Sequence, residues 1–243
     1  MKEKENKRKQ KVGIMKKNSI KQIKEDICEV GHLLWQLGFV ASNDGNISVK
    51  IDDDRFLITP TGISKRLLKP EMILEINSKG EVLSGNRNYR PTSEVPMHMR
   101  CYHDRPDVCS VVHAHPPVAT GFAIAHIALD SYIMPEAIVT LGAVPLSKFG
   151  APLTNQTEEA VGELLPNYNA ILLMNHGVVT VGESLLSAYY RMETVEHYAK
   201  LTLYARLLGG EKELNAEQIK LCLKAHDTLK IPGSYPGYVK GDL

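Results

Sequence analysis

Cysteine is scarce and unpaired in this chain: Cys28, Cys101, Cys109 and Cys222 stand singly, with no CxxC among 243 residues. That excludes a disulfide framework and a zinc ribbon, and the apolar neighbours of these thiols point to buried, reduced side chains. Long apolar runs are also missing. No stretch approaches the length of a membrane span, and no apolar core follows the basic start, so neither a membrane partner nor a signal peptide is expected. Excess charge of one sign is the third absence. A formal net charge of +1 leaves no basic face to displace counterions from nucleic acid. The expected location is the cytoplasm.

What is present is enough for one folded unit. A hydrophobic content of 43% over 243 residues can bury a full core. Residues 1–17 are almost all charge and read as a basic, disordered tail. Residues 18–230 read as one domain, and residues 231–243, rich in Pro and Gly, most simply as a loose, mobile end, closure over a neighbour's site being the functional alternative. Within the domain, Ile20, Ile23, Ile27, Val30, Leu34 and Leu37 recur at helical spacing, capped near Asn18 or Ser19 and closed by Gly38. ASNDGNISVKI and RFLITPTGI each join a polar loop to a strand, and MILEINSKGEVLSG reads as two short strands about Ser78-Lys79-Gly80. Thr154 opens a helix through TNQTEEAVGELL, the stretch after Glu183 is a long helix stopped by Gly209-Gly210, and Asn215 with Gln218 resembles a capping box.

The most informative stretch is SVVHAHPP, Ser110–Pro117. Successive side chains of a strand alternate faces, so His113 and His115 project from the same side as half of a metal site. His176, followed by Gly177, ends the next clear apolar run, AILLMNHG. Three imidazoles are the ligand set of a catalytic zinc, because a fourth position stays open for substrate. His98, His103, His126, His197 and His226 lack that strand-end setting and read as non-ligands, while His32 beside Trp35 reads as a core or surface histidine. Ser93 is a natural N-cap for a helix through Val95, Met99 and Tyr102, and the free amides of such an end attract an anion. The loops holding Gly45-Asn46 and Thr61-Gly62 are small and rich in donors, which also suits an anion. Neither loop is a Walker motif or a dinucleotide fingerprint.

These residues carry a resemblance. DGNIS (Asp44–Ser48), TPTG (Thr59–Gly62), TSE (Thr92–Glu94), HAH (His113–His115) and NHG (Asn175–Gly177) follow the order and approximate spacing of the class II aldolase and adducin head family. Within it the chain is most similar to L-fuculose-phosphate aldolases, from about Asn18 to Gly210. The resemblance implies an α/β fold: a single three-layer α/β/α domain around a mainly antiparallel sheet, assembled as a homotetramer with active sites between subunits. It implies Zn2+ on His113, His115 and His176, with Glu94 filling the fourth position when substrate is absent and serving as catalytic acid/base. Gly45, Asn46, Thr61, Gly62, Thr92 and Ser93 would bind the phosphate of a sugar substrate. The implied reaction is reversible cleavage of a ketose 1-phosphate to dihydroxyacetone phosphate and an aldehyde through a metal-stabilised enediolate. Thr92 replaces the serine common in those aldolases but keeps the hydroxyl. The family's proton-donating tyrosine aligns with no single position, leaving Tyr132, Tyr235 and Tyr238 as candidates. Related activities on the same site are pentulose-phosphate 4-epimerisation, where aspartate typically replaces Glu94, and methylthioribulose-phosphate dehydration. Adducin-like heads keep the fold as a scaffold, which gives no reason to retain three histidines and Glu94 together.

Overall fold

Why the histidine strand sits at the centre follows from how its neighbours pair. The computed structural model describes residues 20–151 and 154–229, so the expectations for the basic start, Tyr235, Tyr238 and the C-terminal tail lie outside the described residues. A seven-stranded sheet runs in the order β4-β3-β2-β1-β5-β7-β6. The strands are β1 (Asn46–Lys50), β2 (Phe56–Ile58), β3 (Leu74–Ile76), β4 (Val82–Ser84), β5 (Ser110–Ala114), β6 (Ala170–Leu173) and β7 (Gly177–Gly182). All six pairings are antiparallel. The hairpin expected about Ser78-Lys79-Gly80 is the β3–β4 pair.

Helices cover both faces, and strand alternation assigns residues to them. Val112, Ala114, Ala170 and Leu172 join one core with helices α1 (Ile20–Gln36), α3 (Pro117–Ile124), α4 (Pro135–Thr140) and α6 (Leu185–Leu207). Val111, Ile171, Leu173 and Val179 join the other with α2 (Val95–Asp104) and α5 (Gln156–Gly162). A last helix, α7 (Ala216–Leu229), packs Ile219 against Tyr132 and Ile138. β1 departs from the hydrophobic-in, polar-out pattern of a one-sided strand. Ile47 and Val49 enter the first core, while Asn46 and Ser48 are also buried, facing α2. A strand between two partners in a doubly covered sheet has no wet face, so its polar side chains need internal partners.

Ser184 caps α6 in a capping box with Ser187. Asn215 and Gln218 bond each other's backbone amides at 3.0 and 2.9 Å before α7, as the sequence reading expected. Two starts differ from expectation by one residue. Glu94, not Ser93, occupies the N-cap of α2, with no side-chain cap bond because its carboxylate is engaged elsewhere. Asn155 occupies the N-cap of α5, although Thr154 Oγ1 still accepts from the Gln156 amide at 3.2 Å. None of the four cysteines forms a disulfide, but only Cys101 is buried. Cys28, Cys109 and Cys222 are half-buried, correcting the expectation that all four are buried. Burial pushes the Cys28 and Cys101 thiols up to about 11 and 12. No helix among the described residues is long and apolar enough to cross a membrane.

One buried charge fixes the chain directly after the histidine strand. Glu196, 1% exposed, accepts from the first amides of α3, Val118 N–H and Ala119 N–H at 3.1 and 2.8 Å, and pairs with Lys200 at 3.4 Å. The free amides and positive end of α3 are thus satisfied within the chain. Glu196→Ala removes both acceptors and is expected to cost about 2–3 kcal/mol of unfolding free energy in urea. No loss would show that this carboxylate contributes nothing to seating α3.

Candidate metal centre

Strand register gathers the site. In the β1–β5 pair Asn46 lies opposite His113, and in the β5–β7 pair His113 lies opposite Val179. His115 stands just past β5, its amide bonded to the Phe39 carbonyl at 2.9 Å. His176 sits in the tight turn between β6 and β7, where Leu173 pairs with Gly177 and Asn175 adopts φ 56°. Two glycines allow this crowding. A Cβ on Gly177 would lie 2.5 Å from His115 Cδ2 and 2.6 Å from the Ala114 carbonyl. Gly45 has φ +73°, and a Cβ there would meet Val40 and the His113 carbonyl at 2.7 and 2.8 Å.

The three rings form a nearly equilateral cluster, with centroids 4.9, 4.8 and 4.9 Å apart. His113, His115 and His176 present ligand atoms that all lie within 4.8 Å of one another. His113 Nε2 and His115 Nε2 are 3.1 Å apart. Glu94 reaches the cluster with one oxygen 3.2 Å from His113 Nε2 and the other 3.7 Å from His176 Nε2. Asn46 Nδ2 donates to Glu94 Oε2 at 2.6 Å and to Thr92 Oγ1 at 3.2 Å.

The donor set fits a divalent cation. His113 Nδ1 donates to the Val178 carbonyl at 2.9 Å, which leaves the Nε2 lone pair directed at the cluster. Burial pushes His113 down to about 3, and burial also lowers His115, so both rings stay neutral and can ligate. Asp44 Oδ2 lies 3.3 Å from His115 Nδ1, the position of a carboxylate that orients a metal-bound imidazole. Burial by itself would raise the Glu94 carboxyl, but the surrounding histidine rings, His113 first, and the Asn46 N–H bond outweigh it and lower it. With His113 neutral, the Asn46 amide is the partner that keeps this carboxylate ionised.

A cavity of about 500 Å³ opens beside the cluster. Gly45, Asn46, Thr61, Thr92, Ser93, Glu94, His115 and His176 line it, while His113 is fully buried behind them. Gly62 adjoins Thr61 but is not among the lining residues. Tyr132 is buried against Ile138 and Ile219, also outside the cavity wall. The histidines read as non-ligands stay out of the cluster: His126 bonds Asn175, His226 bonds the Val139 carbonyl, and His103 pairs with Asp104. Sequence reasoning missed Asp44, Phe149 and the partners of His98. Asp44 lay within a quoted motif, but its contact with His115 depends on a turn no periodicity describes. Phe149 lines the cavity from a segment without a motif.

The comparisons with known proteins agree with this geometry. Residues 25–203 match the family described as the class II aldolase and adducin N-terminal domain. The chain belongs to that family. It is 33% identical over 177 residues to an L-fuculose phosphate aldolase of Methanococcus vannielii, covering 73% of this chain and 93% of that protein. It is 32% identical over 184 residues to a 3-oxo-tetronate 4-phosphate decarboxylase of Escherichia coli K12, covering 74% and 85%. The solved structure of an L-fuculose 1-phosphate aldolase superposes with a TM-score of 0.77 at 26% identity, covering 85% of this chain and 96% of that one.

Two outcomes follow from the packing and the charges. Gly177→Ala is expected to cost about 2 kcal/mol or more and to weaken metal binding, because the turn must move away from His115; urea unfolding and a cobalt titration check both. His98 is fully buried and burial pushes it down from 6.5 to about 4. Its contribution to stability is complete above pH 6.5 and is lost as pH falls through that window towards 4. For metal-free protein the expected loss from His98 is about 3 kcal/mol, and His98→Gln should flatten that part of the profile.

Proposed function

We propose that this chain is a zinc-dependent aldolase that reversibly cleaves a ketose 1-phosphate of the L-fuculose 1-phosphate kind. The products are dihydroxyacetone phosphate and an aldehyde. The observation that carries the reading is Glu94, with one oxygen 3.2 Å from His113 Nε2 and the other 3.7 Å from His176 Nε2, at the wall of a cavity flanked by donor-rich loops. An ion bound by His113, His115 and His176 supplies a Lewis acid that draws electron density from the substrate carbonyl. Gly45, Asn46, Thr61, Gly62, Thr92 and Ser93 hold the phosphate through amides and hydroxyls, which fixes the reacting carbons beside Glu94. In the condensation direction Glu94, as carboxylate, takes the proton from the carbon next to the carbonyl and leaves an enediolate. That carbon attacks the aldehyde, and a second acid protonates the new alkoxide. In cleavage the conjugate base of that second acid takes the proton of the hydroxyl on the departing carbon, and the carbon–carbon bond breaks to give the aldehyde and the enediolate. Glu94, entering this direction protonated, gives its proton to the enediolate carbon. A homotetramer with sites at subunit interfaces belongs to the same proposal.

A second reading is supported by the similarity to the 3-oxo-tetronate 4-phosphate decarboxylase. A 3-oxo acid that loses carbon dioxide leaves an enediolate on the same two carbons, and one proton from Glu94 completes dihydroxyacetone phosphate. The two reactions therefore share their proton-transfer half. Dihydroxyacetone phosphate in deuterium oxide should exchange one hydrogen stereospecifically with the metal-loaded protein, whichever reading holds. Glu94→Gln is expected to slow that exchange about 100-fold or more while metal content stays near wild type. An unaltered rate would remove Glu94 from the chemistry. Release of dihydroxyacetone phosphate from ketose 1-phosphates without carbon dioxide favours the aldolase, and carbon dioxide release from a 3-oxo-tetronate 4-phosphate favours the decarboxylase.

A further inference from the structure

A buried polar chain runs from the middle of α2 to Glu94, and the metal cluster does not use it. Tyr102 OH lies 2.6 Å from Ser48 Oγ, and Ser48 Oγ lies 2.6 Å from His98 Nδ1. His98 Nε2 meets Asn46 Oδ1, and Asn46 Nδ2 reaches Glu94 at 2.6 Å. His98 and Ser48 are fully buried, and Asn46 and Tyr102 are 4% and 5% exposed. The chain exists because two periods match. His98 and Tyr102 stand four apart on one face of α2, and Asn46 and Ser48 stand two apart on the face of β1 that meets it.

Chemistry assigns every hydrogen along it. An ionised carboxylate only accepts, so the Asn46 atom beside Glu94 is its NH2 group and the carbonyl oxygen faces His98. His98 must then carry its proton on Nε2. Being neutral, it accepts at Nδ1 from the Ser48 hydroxyl, and Ser48 in turn accepts from Tyr102. All donors point towards Glu94.

We infer that His98 is a positioning residue: as the Nε2–H tautomer it locks the Asn46 amide with its NH2 group towards Glu94, and so sets the orientation of that carboxylate. Without the His98 donor, the amide is free to turn its carbonyl oxygen onto the carboxylate, where two acceptors repel. The inference rests on the proposed role of Glu94 for its consequence in turnover, and on hydrogen-bond geometry alone for the orientation.

The test reads both. In protein labelled with 15N in Asn and His, the Asn46 side-chain amide, assigned by its loss in Asn46→Ala, should show two widely separated protons that exchange slowly with solvent. His98 should show the Nε2–H tautomer. His98→Leu is expected to collapse the Asn46 signature and to slow deuterium exchange into dihydroxyacetone phosphate by about 10- to 100-fold. His98→Gln, whose amide N–H can still reach Asn46 Oδ1, should restore most of both. Ser48→Ala, a smaller change, should let the His98 tautomer shift even if His98→Leu folds poorly. A His98 that carries its proton on Nδ1 in the wild type, or a folded His98→Leu with unchanged Asn46 resonances, overturns the inference. An Asn46 signature that responds as described in a protein that never exchanges deuterium supports the positioning role and overturns the proposed function instead.

Discussion

Two neutral imidazole nitrogens held 3.1 Å apart in a buried place, with a carboxylate oxygen 3.2 Å from one of them, define the constraint on which this structure depends. The rings cannot both carry charge at that spacing without strong repulsion, and burial already disfavours the charged form. A shared cation satisfies all the lone pairs at once. The rest of the fold supplies what that arrangement needs: a strand that carries His113 and leads directly into His115, a neighbouring strand that places Asn46 opposite His113, and a glycine-bearing turn that brings the third ring in.

Much of this was legible in the chain. The HxH pair announces its geometry because strand periodicity is two, and β5 is the strand expected, although it ends at Ala114 and leaves His115 one residue beyond it. His176 was legible as the end of an apolar run, although it lies in the hairpin turn beyond that run rather than on the strand. Glu94 was visible as an acid at a helix start. Taking Ser93 as the cap missed it by one residue because capping preference cannot see a cluster of imidazoles competing for the carboxylate. The partners of His98 were illegible for a different reason. His98, Ser48 and Asn46 belong to a helix and a strand separated by about 50 positions, as the bonded pairs Ser48–His98 and Asn46–His98 show. Only the docking of α2 on β1 brings them together. Reading His98 as a non-ligand agrees with its place outside the cluster, but that reading carries no information about the amide it holds.

The same geometry is compatible with relatives of different named activities sharing one frame. Aldol cleavage and loss of carbon dioxide from a 3-oxo acid both place a negative charge on a carbon beside a carbonyl. On the proposed function, the cluster, Glu94 and the donor-rich loops would serve that shared step. What differs is the departing fragment; Phe149, Asn155 and Thr157 also line the cavity.

The proposed chemistry of the site depends on the ion. Metal-free protein titrated with cobalt(II) should bind one equivalent per chain and develop the intense visible absorption of a low-coordinate site with nitrogen donors. Replacing any one of His113, His115 or His176 by Ala should abolish that spectrum while the protein stays folded. A wild-type chain that takes up no cobalt, or a spectrum that survives all three replacements, would contradict the central claim.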